Sequence, residues 1–261
     1  MTAESSRREG RNFGSGRIVF SGGSSLWIGH AEEETGFHDH HAIQVTLPLS
    51  GGHVRFRSPG CDWISHDAAV IAAHHPHAFE ARGELVALIF TEPESREGRI
   101  LRERFPVGVA SFATDDMTAE ISALATAFKD NQGDEQLMSR ARAVATRLTQ
   151  MQSVSPKPID KRVEQAVSLL RTRLGDIVTM AEIAEAVHLS PERFRHLFLA
   201  ETGIRFRPYV LWLRLEVAVA AYAAGRSLTE AAQAGGFADS AHFSRTFKRM
   251  FGVQAIGVRR A

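Results

Sequence analysis

An internal repeat in the last hundred or so residues of this 261-residue chain constrains its fold more than any other sequence feature. The segments that begin at Thr179 and Ser227, 48 residues apart, each carry a hydroxyl residue followed three residues later by Glu. This is the capping-box pattern that starts a helix. Two aromatic residues and a glycine recur 49 residues apart, Phe194, Phe198 and Gly203 as Phe243, Phe247 and Gly252. The sequence therefore predicts a duplicated helical unit with one residue inserted in the second copy.

Each copy has the pattern of a helix-turn-helix. In the first copy a short helix is predicted from about Met180 to Val187, and Ser190 and Pro191 then supply a cap and a first-turn proline for a second helix. Between the copies, residues 206–224 are predicted to form one helix of about 19 residues, roughly 28 Å long. This length is close to the roughly 34 Å between successive major-groove faces on one side of DNA.

The second helix of each unit is the predicted recognition helix. The repeated phenylalanines face inward, as core residues, which leaves polar and basic side chains to meet base edges and phosphates. The predicted DNA-binding residues are Glu192, Arg193, Arg195, His196, Ser240, His242, Ser244, Arg245, Lys248 and Arg249.

The distribution of charge favours the same half of the chain. From Lys157 onward there are 16 Lys/Arg and 10 Asp/Glu, a net charge of +6, whereas residues 1–156 carry 15 and 20, a net charge of −5. Only the C-terminal part is therefore suited to a polyanion such as double-stranded DNA.

The N-terminal half has a different organisation. Short apolar runs separated by Gly, Ser, His and Asp predict an antiparallel sandwich or barrel, with strands in 17–20, 26–29, 43–47, 54–56, 69–71 and 85–90. Helical spacing follows, in two segments separated by Gln132-Gly133. These helices either cover the core of the barrel or offer an apolar face to a second copy of the chain. The predicted units are a disordered tail (1–15), a sensor domain (16–113), a helical pair (114–152), a linker (153–158) and a DNA-binding domain (159–261).

The segment from about Ile159 to Arg260 resembles the DNA-binding domain of the AraC/XylS family of transcription regulators. The run from Gly236 to Lys248 carries the most specific part of the resemblance, and Leu189-Ser-Pro191, Pro208-Tyr209 and Arg214-Leu215 add to it. The family usually has Ser-Pro and Tyr-Arg after the last glycine, where this chain has the segment 253–259. The resemblance implies a two-domain α+β protein, with a cupin-like antiparallel β-barrel and two helices followed by two helix-turn-helix units on a long connecting helix. It also implies RNA polymerase as a partner, and activation is the tendency of the family.

Nine of the 12 histidines lie within the predicted barrel. His38, His40, Gln44, Gly51 and His77 resemble the metal motif of cupins, although metal-binding cupins usually have Glu at the position of Gln44. Imidazoles suit zinc, copper, nickel and ferrous iron. Because neighbouring residues on a strand point to opposite faces, at most one of His40 and His41 is expected to face the interior. The predicted effector or metal site comprises His38, His40, Gln44 and His77.

The sequence leaves the effector open. The composition favours a divalent transition metal, whereas the family resemblance favours an organic small molecule. Two further hypotheses are a regulator whose barrel serves only for homodimerisation and a cupin enzyme fused to a DNA-binding tail. Gln44 in place of Glu, and the lack of an acid–base pair around it, disfavour the enzyme. We therefore predict an effector-controlled regulator without catalytic residues.

Cys61 is the only cysteine, so no intrachain disulfide can form and a reducing compartment is expected. The N-terminus has no apolar stretch of the kind that follows the basic start of a secretory signal, and the apolar stretch 208–224 carries Arg214 and Glu216, whose charges make a bilayer span costly. The expected location is the cytoplasm, without a membrane partner.

Overall fold

The computed structural model describes residues 14–150, 156–255 and 258–260. Most of the predicted tail and half of the predicted linker lie outside these ranges, so both remain predictions. Within the described residues, the first half is mainly β-structure and the second half is helical. No helix in these ranges is long and apolar enough to cross a membrane.

The strands form two sheets and do not close into a barrel. They are β1 Gly14–Ser21, β2 Ser24–Ala31, β3 Ile43–Pro48, β4 Val54–Arg57, β5 Ile64–His66, β6 Ala69–Ile71, β7 Ala78–Glu80, β8 Leu85–Thr91, β9 Val109–Ser111 and β10 Val258–Arg260. Seven strands pair in the order β10-β1-β2-β8-β3-β6-β9, and three pair in the order β5-β4-β7. All pairings are antiparallel except that of β1 with β10. The antiparallel, sheet-based N-terminal domain is confirmed, and its two sheets do not close into a barrel within the described residues.

All six predicted strands are present; the strand 69–71 has its predicted bounds, and the other five are extended by one to four residues. The strands that the sequence did not indicate, β5, β7, β9 and β10, have three residues each, which is too short to show an alternating pattern. A helix within the sensor domain was also missed. This is α1, Arg96–Arg104, which Ser95 caps by accepting a hydrogen bond from the Gly98 backbone N–H at 2.9 Å. Six of its nine residues are charged, so its apolar pattern is weak.

Two helices follow, one on each side of the predicted break at Gln132-Gly133. They are α2, Thr118–Lys129, and α3, Asp134–Gln150. Their apolar residues pack on the seven-stranded sheet, and Leu124, Leu137, Val144 and Leu148 are at most 1% exposed. The apolar faces of α2 and α3 are already packed on the sheet. This burial favours helices that cover the core over helices that contact a second copy of the chain.

The C-terminal domain consists of six helices. They are α4 Lys161–Thr172, α5 Met180–Ala186, α6 Pro191–Thr202, α7 Phe206–Ala223, α8 Leu228–Ala234 and α9 Ser240–Phe251. The repeat is evident in their lengths, since α5 and α8 have seven residues each and α6 and α9 have twelve. The inserted residue lies in the second turn, which runs from Gly235 to Asp239, whereas the first runs from Val187 to Ser190.

The two domains are packed against each other. The indole of Trp27, on β2, lies 4.6 Å from the ring of Phe251 and 6.0 Å from that of Phe247, between ring centroids. The Gly36 backbone N–H donates to the Gly252 carbonyl at 2.9 Å. The last residues of α9 thus belong to the same hydrophobic core as the N-terminal sheets.

Candidate functional site

Local interactions position both helix-turn-helix units. Thr179 and Ser227 accept hydrogen bonds from the backbone N–H groups of Glu182 and Glu230, and each glutamate accepts one in return from the backbone N–H of its cap. The following helices are capped by Ser190 and by Asp239, and both end at a glycine with positive φ, Gly203 at 77° and Gly252 at 72°. Because each cap satisfies otherwise unpaired backbone groups, these short helices begin and end where the sequence predicts.

The first recognition helix, α6, presents a polar face. Phe194 and Phe198 are buried, whereas the four predicted DNA-binding residues of this helix are exposed. Glu192 accepts from Arg195 at 2.6 Å and lies 2.7 Å from His196 Nε2. Hydrogen bonds from Arg195 and His196 lower the pKa of Glu192 to about 2. The carboxylate is therefore ionised, and it holds the side chains of Arg195 and His196 on the exposed face of α6.

The second recognition helix, α9, is more enclosed. Arg245, Lys248 and Arg249 are exposed, while Ser240, His242 and Ser244 are half-buried. The ring of His242 packs edge-on against Phe237, with 5.1 Å between centroids. Arg249 lines a cleft between the two domains, so its position differs from that of Arg245.

The structure brings three of the predicted effector residues together. His38 and His40 lie in the loop before β3, and His77 directly precedes β7. All three are buried, and one ring nitrogen from each lies within 4.8 Å of the other two. His38 and His77 also pair through two backbone hydrogen bonds, at 2.9 and 3.0 Å, which bring their two segments together.

Backbone carbonyls orient the three imidazoles. The Nδ1 atoms of His38, His40 and His77 lie 2.7–2.9 Å from the carbonyl oxygens of Gly36, Ala42 and His75. A carbonyl can only accept, so each Nδ1 carries the proton and each Nε2 keeps its lone pair. The Nε2 of His77 is buried and has no hydrogen-bond partner among the described residues. The cluster thus offers neutral imidazole nitrogens in the form that metals bind.

Burial keeps these rings neutral. It lowers the pKa of His38 to about 3 and lowers the pKa values of His40 and His77 as well, and the neighbouring histidines of the cluster add to the shift for His38 and His77. A ligand histidine must be deprotonated, so the cluster requires no proton release at neutral pH.

Gln44, on β3, lies beside the cluster. Its Oε1 is 3.0 Å from His40 Nε2, and its amide nitrogen donates to Thr46 Oγ1 at 2.8 Å. With the proton of His40 on Nδ1, two acceptor atoms face each other. A rotated Gln44 amide would place its nitrogen donor against His40 Nε2.

A buried ionic network between the domains was not indicated by the sequence. Arg171, on α4, pairs with Glu92 and, at 3.4 Å, with Glu216. Beside it, Glu94 accepts from Tyr209 at 2.5 Å and lies 3.1 Å from His41. These residues come from distant segments and no local pattern marks them.

His40 and His41 lie in a loop and are both 2% exposed, but they face different surroundings, so that one of the two faces the histidine cluster, as expected. His40 faces the histidine cluster, whereas His41 faces Glu94 and the C-terminal domain.

Comparisons with known proteins agree with this architecture. A family model described as a helix-turn-helix domain matches residues 183–261. The chain is 30% identical over 226 residues to the probable transcriptional regulator LumQ of Photobacterium leiognathi, covering 83% of this chain and 89% of LumQ. It is 33% identical over 102 residues to the uncharacterized HTH-type transcriptional regulator YidL of Escherichia coli (strain K12), covering 39% of this chain and 34% of YidL.

Solved structures of ToxT from Vibrio cholerae share the fold. The strain O395 structure has a TM-score of 0.58 at 14% identity and covers 90% of this chain and 97% of ToxT. A ToxT structure with a bound unsaturated fatty acid has a TM-score of 0.55 at 10% identity and covers 91% of this chain and 93% of ToxT. The duplicated helix-turn-helix, the sheet-based N-terminal domain and the similarity to LumQ along most of its length lead to one conclusion: this chain belongs to the AraC/XylS family of DNA-binding transcription regulators.

Proposed function

We propose that this regulator is controlled by a divalent transition-metal ion bound by His38, His40 and His77. The observation that carries the proposal is the geometry of the cluster, in which the Nδ1 atom of each buried ring faces a backbone carbonyl and one ring nitrogen of each histidine lies within 4.8 Å of the other two. Carbonyl acceptors on Nδ1 are the usual outer partners of metal-bound histidine.

The residues present fit a metal of borderline softness. Three histidines with a fourth position open to another ligand suit zinc, and imidazole also suits copper, nickel and ferrous iron. Nitrogens on a tetrahedral zinc lie about 3.4 Å apart, and the ring nitrogens here lie within 4.8 Å, so modest ring movements would bring them onto one ion. The Gln44 amide oxygen is the nearest candidate for the fourth position, although an amide binds a hard metal less well than a carboxylate.

The location of the cluster supplies a route to the DNA-binding domain. His38 Nδ1 contacts the carbonyl of Gly36, and the Gly36 backbone N–H in turn donates to the carbonyl of Gly252 at the end of α9. Ring movements on metal binding would therefore act directly on the end of the second recognition helix. This route requires one arrangement in which the two domains are packed together and another in which they are separated. The affinities for metal and for DNA are coupled if these two arrangements bind the metal with different affinity.

An organic effector is the second candidate. ToxT, which shares the fold, has been solved with an unsaturated fatty acid and with (E)-4-(8-methylnaphthalen-1-yl)but-3-enoic acid. Three further expectations remain predictions. They are RNA polymerase as a partner, a homodimer whose N-terminal domain serves only for dimerisation, and a location in the cytoplasm, where the protein would reach the chromosome.

The test is metal content together with DNA binding. Untagged protein purified without chelator is analysed by mass spectrometry, and its affinity for a DNA fragment selected from random sequences is measured before and after chelation. We expect about one metal ion per chain in the wild type and in the control variant His53→Ala, whose ring is exposed. We expect loss of metal in His77→Ala, and an altered DNA affinity upon chelation only in proteins that held metal. Metal-free wild-type protein with unchanged DNA binding would reject the metal and favour the organic effector.

A further inference from the structure

The three-histidine cluster offers no negative charge to a metal ion. The ring nitrogens of His38, His40 and His77 are neutral donors, and no Asp, Glu or Cys in the described part of the chain joins this group. Gln44, whose Oε1 lies 3.0 Å from His40 Nε2, adds only a neutral amide. A divalent ion held by these side chains would therefore keep both of its positive charges.

The carboxylates closest to the cluster do not compensate this charge. Asp39, between two of the histidines in sequence, is exposed, so solvent and salt screen it. Glu94 is buried, but it accepts a hydrogen bond from Tyr209 at 2.5 Å and lies 3.1 Å from His41, which faces away from the cluster. Neither carboxylate is therefore available to a metal ion at the three histidines.

Aromatic side chains enclose the cluster. The ring of Phe90 lies 5.1 Å from that of His40, and the ring of Phe56 lies 5.9 Å from that of His77, between centroids. Both phenylalanines are buried. Water solvates an ion poorly in such surroundings, and a buried charge is costly unless an opposite charge compensates it. The charge of a bound divalent ion therefore calls for a ligand from outside the chain.

We propose that Gln44 makes this metal site dependent on a small inorganic anion, which takes the fourth position on the metal ion. The inference rests on the metal site proposed above and assigns its missing ligand. Three histidines leave one position of a tetrahedral ion open, and an amide fills it less well than a carboxylate. A glutamate at position 44 would fill this position and lower the net charge, so an external anion would no longer be favoured.

The position of His40 gives the anion a route from solvent, because this residue also lines the cleft between the two domains. The anion and the metal ion bind next to each other and have opposite charges. Each therefore raises the affinity of the protein for the other, and by thermodynamic linkage the two factors are equal. The regulator thus responds to a metal ion most strongly when the anion is present.

The test uses full-length protein that is treated with chelator and then loaded with cobalt(II), with the protein in excess over the metal. The visible absorption of cobalt reports the ligands around the ion. Azide is the probe, and sodium perchlorate, which coordinates metals poorly, keeps the ionic strength constant. In the wild type we expect a saturable change of the cobalt absorption with azide. The affinity for cobalt, measured by competition with a chelator, should be higher in azide than in perchlorate alone.

Gln44→Glu is the decisive variant. Its carboxylate supplies the missing charge, so the apparent affinity for azide should fall at least about tenfold, which corresponds to about 1.4 kcal/mol, while the affinity for cobalt in perchlorate should rise. Gln44→Leu is the matched control, because leucine is neutral and has no ligand atom, and it should weaken azide binding far less. His77→Ala should lose the azide-sensitive absorption. Thermal unfolding of each variant verifies that it is folded.

Several results would overturn the anion. One is a wild type that binds cobalt at the histidines but shows no response to azide, which would leave the metal site itself intact. Another is an equal affinity for azide in the wild type and in Gln44→Glu. Uptake of copper(I) but not of cobalt in either salt would also reject the anion, because a monovalent ion needs less compensation. Absence of any metal uptake would reject the metal site as well, so the two failures are distinguishable.

Discussion

At the scale of single residues, the exposed face of α6 is held in place before DNA is bound. Glu192 binds both Arg195 and His196, so Arg195 must exchange this partner to reach a base edge or a phosphate. Exposed ion pairs of this kind are screened by solvent and contribute little, so Arg195 can exchange its partner readily. On α9, Arg245 is exposed and has no ion-pair partner in the described ranges.

We predict that Arg195→Ala and Arg245→Ala each weaken binding to the selected DNA fragment by about 1–3 kcal/mol, the usual effect of losing a base or phosphate contact. Fluorescence anisotropy at one fixed salt concentration measures the effect. Arg140→Ala, on the exposed side of α3, serves as the control and should bind like the wild type. Unchanged affinity in both test variants would remove these side chains from the DNA interface.

At the scale of secondary-structure elements, the buried ionic network joins α4 and α7 to the segment after β8. Burial raises the pKa values of Glu216, to about 7, and of Glu92. For Glu94 burial acts in the same direction, but the hydrogen bonds from His41 and Tyr209 outweigh it, and its pKa is lowered. Arg171 compensates Glu92 and Glu216 only in part, so the contact between these elements depends on proton binding.

The network predicts that the contribution of Glu216 to stability falls as the pH rises through 7. Glu216 has a folded pKa of about 7 against a usual value of 4.5, so the native state binds more protons at this site than the unfolded state between these values. The part of the free energy of unfolding that comes from Glu216 therefore decreases as the pH rises through 7. The buried histidines, whose pKa values are lowered, give the opposite slope until the unfolded imidazoles have lost their protons, about one pH unit above 6.5. The effect of Glu216 is therefore measured as the difference between the wild type and a variant at this position.

Urea denaturation at several pH values measures this effect. In Glu216→Gln, which is neutral at every pH, we expect the free energy of unfolding between pH 6.5 and 8 to rise more steeply, or to fall less steeply, with pH than in the wild type. Identical slopes in the two proteins would show that Glu216 does not titrate in this range.

At the scale of the whole molecule, the two domains meet at the end of the second recognition helix. A Cβ atom on Gly252 would lie 2.4 Å from the Gly36 carbonyl oxygen and 2.5 Å from His38 Nδ1. Gly203 ends the first recognition helix with nearly the same φ, but its Cβ would meet only an arginine side-chain nitrogen at 3.8 Å. The repeat thus supplies two equivalent glycines that differ in their contact with the N-terminal domain.

We predict that Gly252→Ala separates the domains and that Gly203→Ala does not. Both variants carry the cost of a non-glycine residue at positive φ, about 1 kcal/mol, so their difference isolates the clash at the interface. Limited proteolysis of the segment between α3 and α4, together with the emission of Trp27, which packs on Phe247 and Phe251, reports the separation. Equal behaviour of the two variants would mean that the contact at Gly252 does not maintain docking.

The amino-acid sequence by itself determined the features that depend on neighbouring residues. The capping boxes at Thr179 and Ser227, the glycine ends at Gly203 and Gly252 and the helical periodicity are local, so they predict the duplicated helix-turn-helix and the position of its inserted residue. Spacing and family resemblance together also selected His38, His40 and His77. The three-residue strands and the charged helix α1 escaped prediction because their patterns are too short or too polar.

The tertiary structure alone decided how distant segments meet. Whether the sheets close, whether α2 and α3 cover the core, and where His41 points depend on packing between elements that are far apart in sequence. The network around Arg171 and the cleft beside Arg207 and Arg249 arise only because the domains dock. Long-range packing and burial set the charges and partners of these side chains, and no local pattern encodes them.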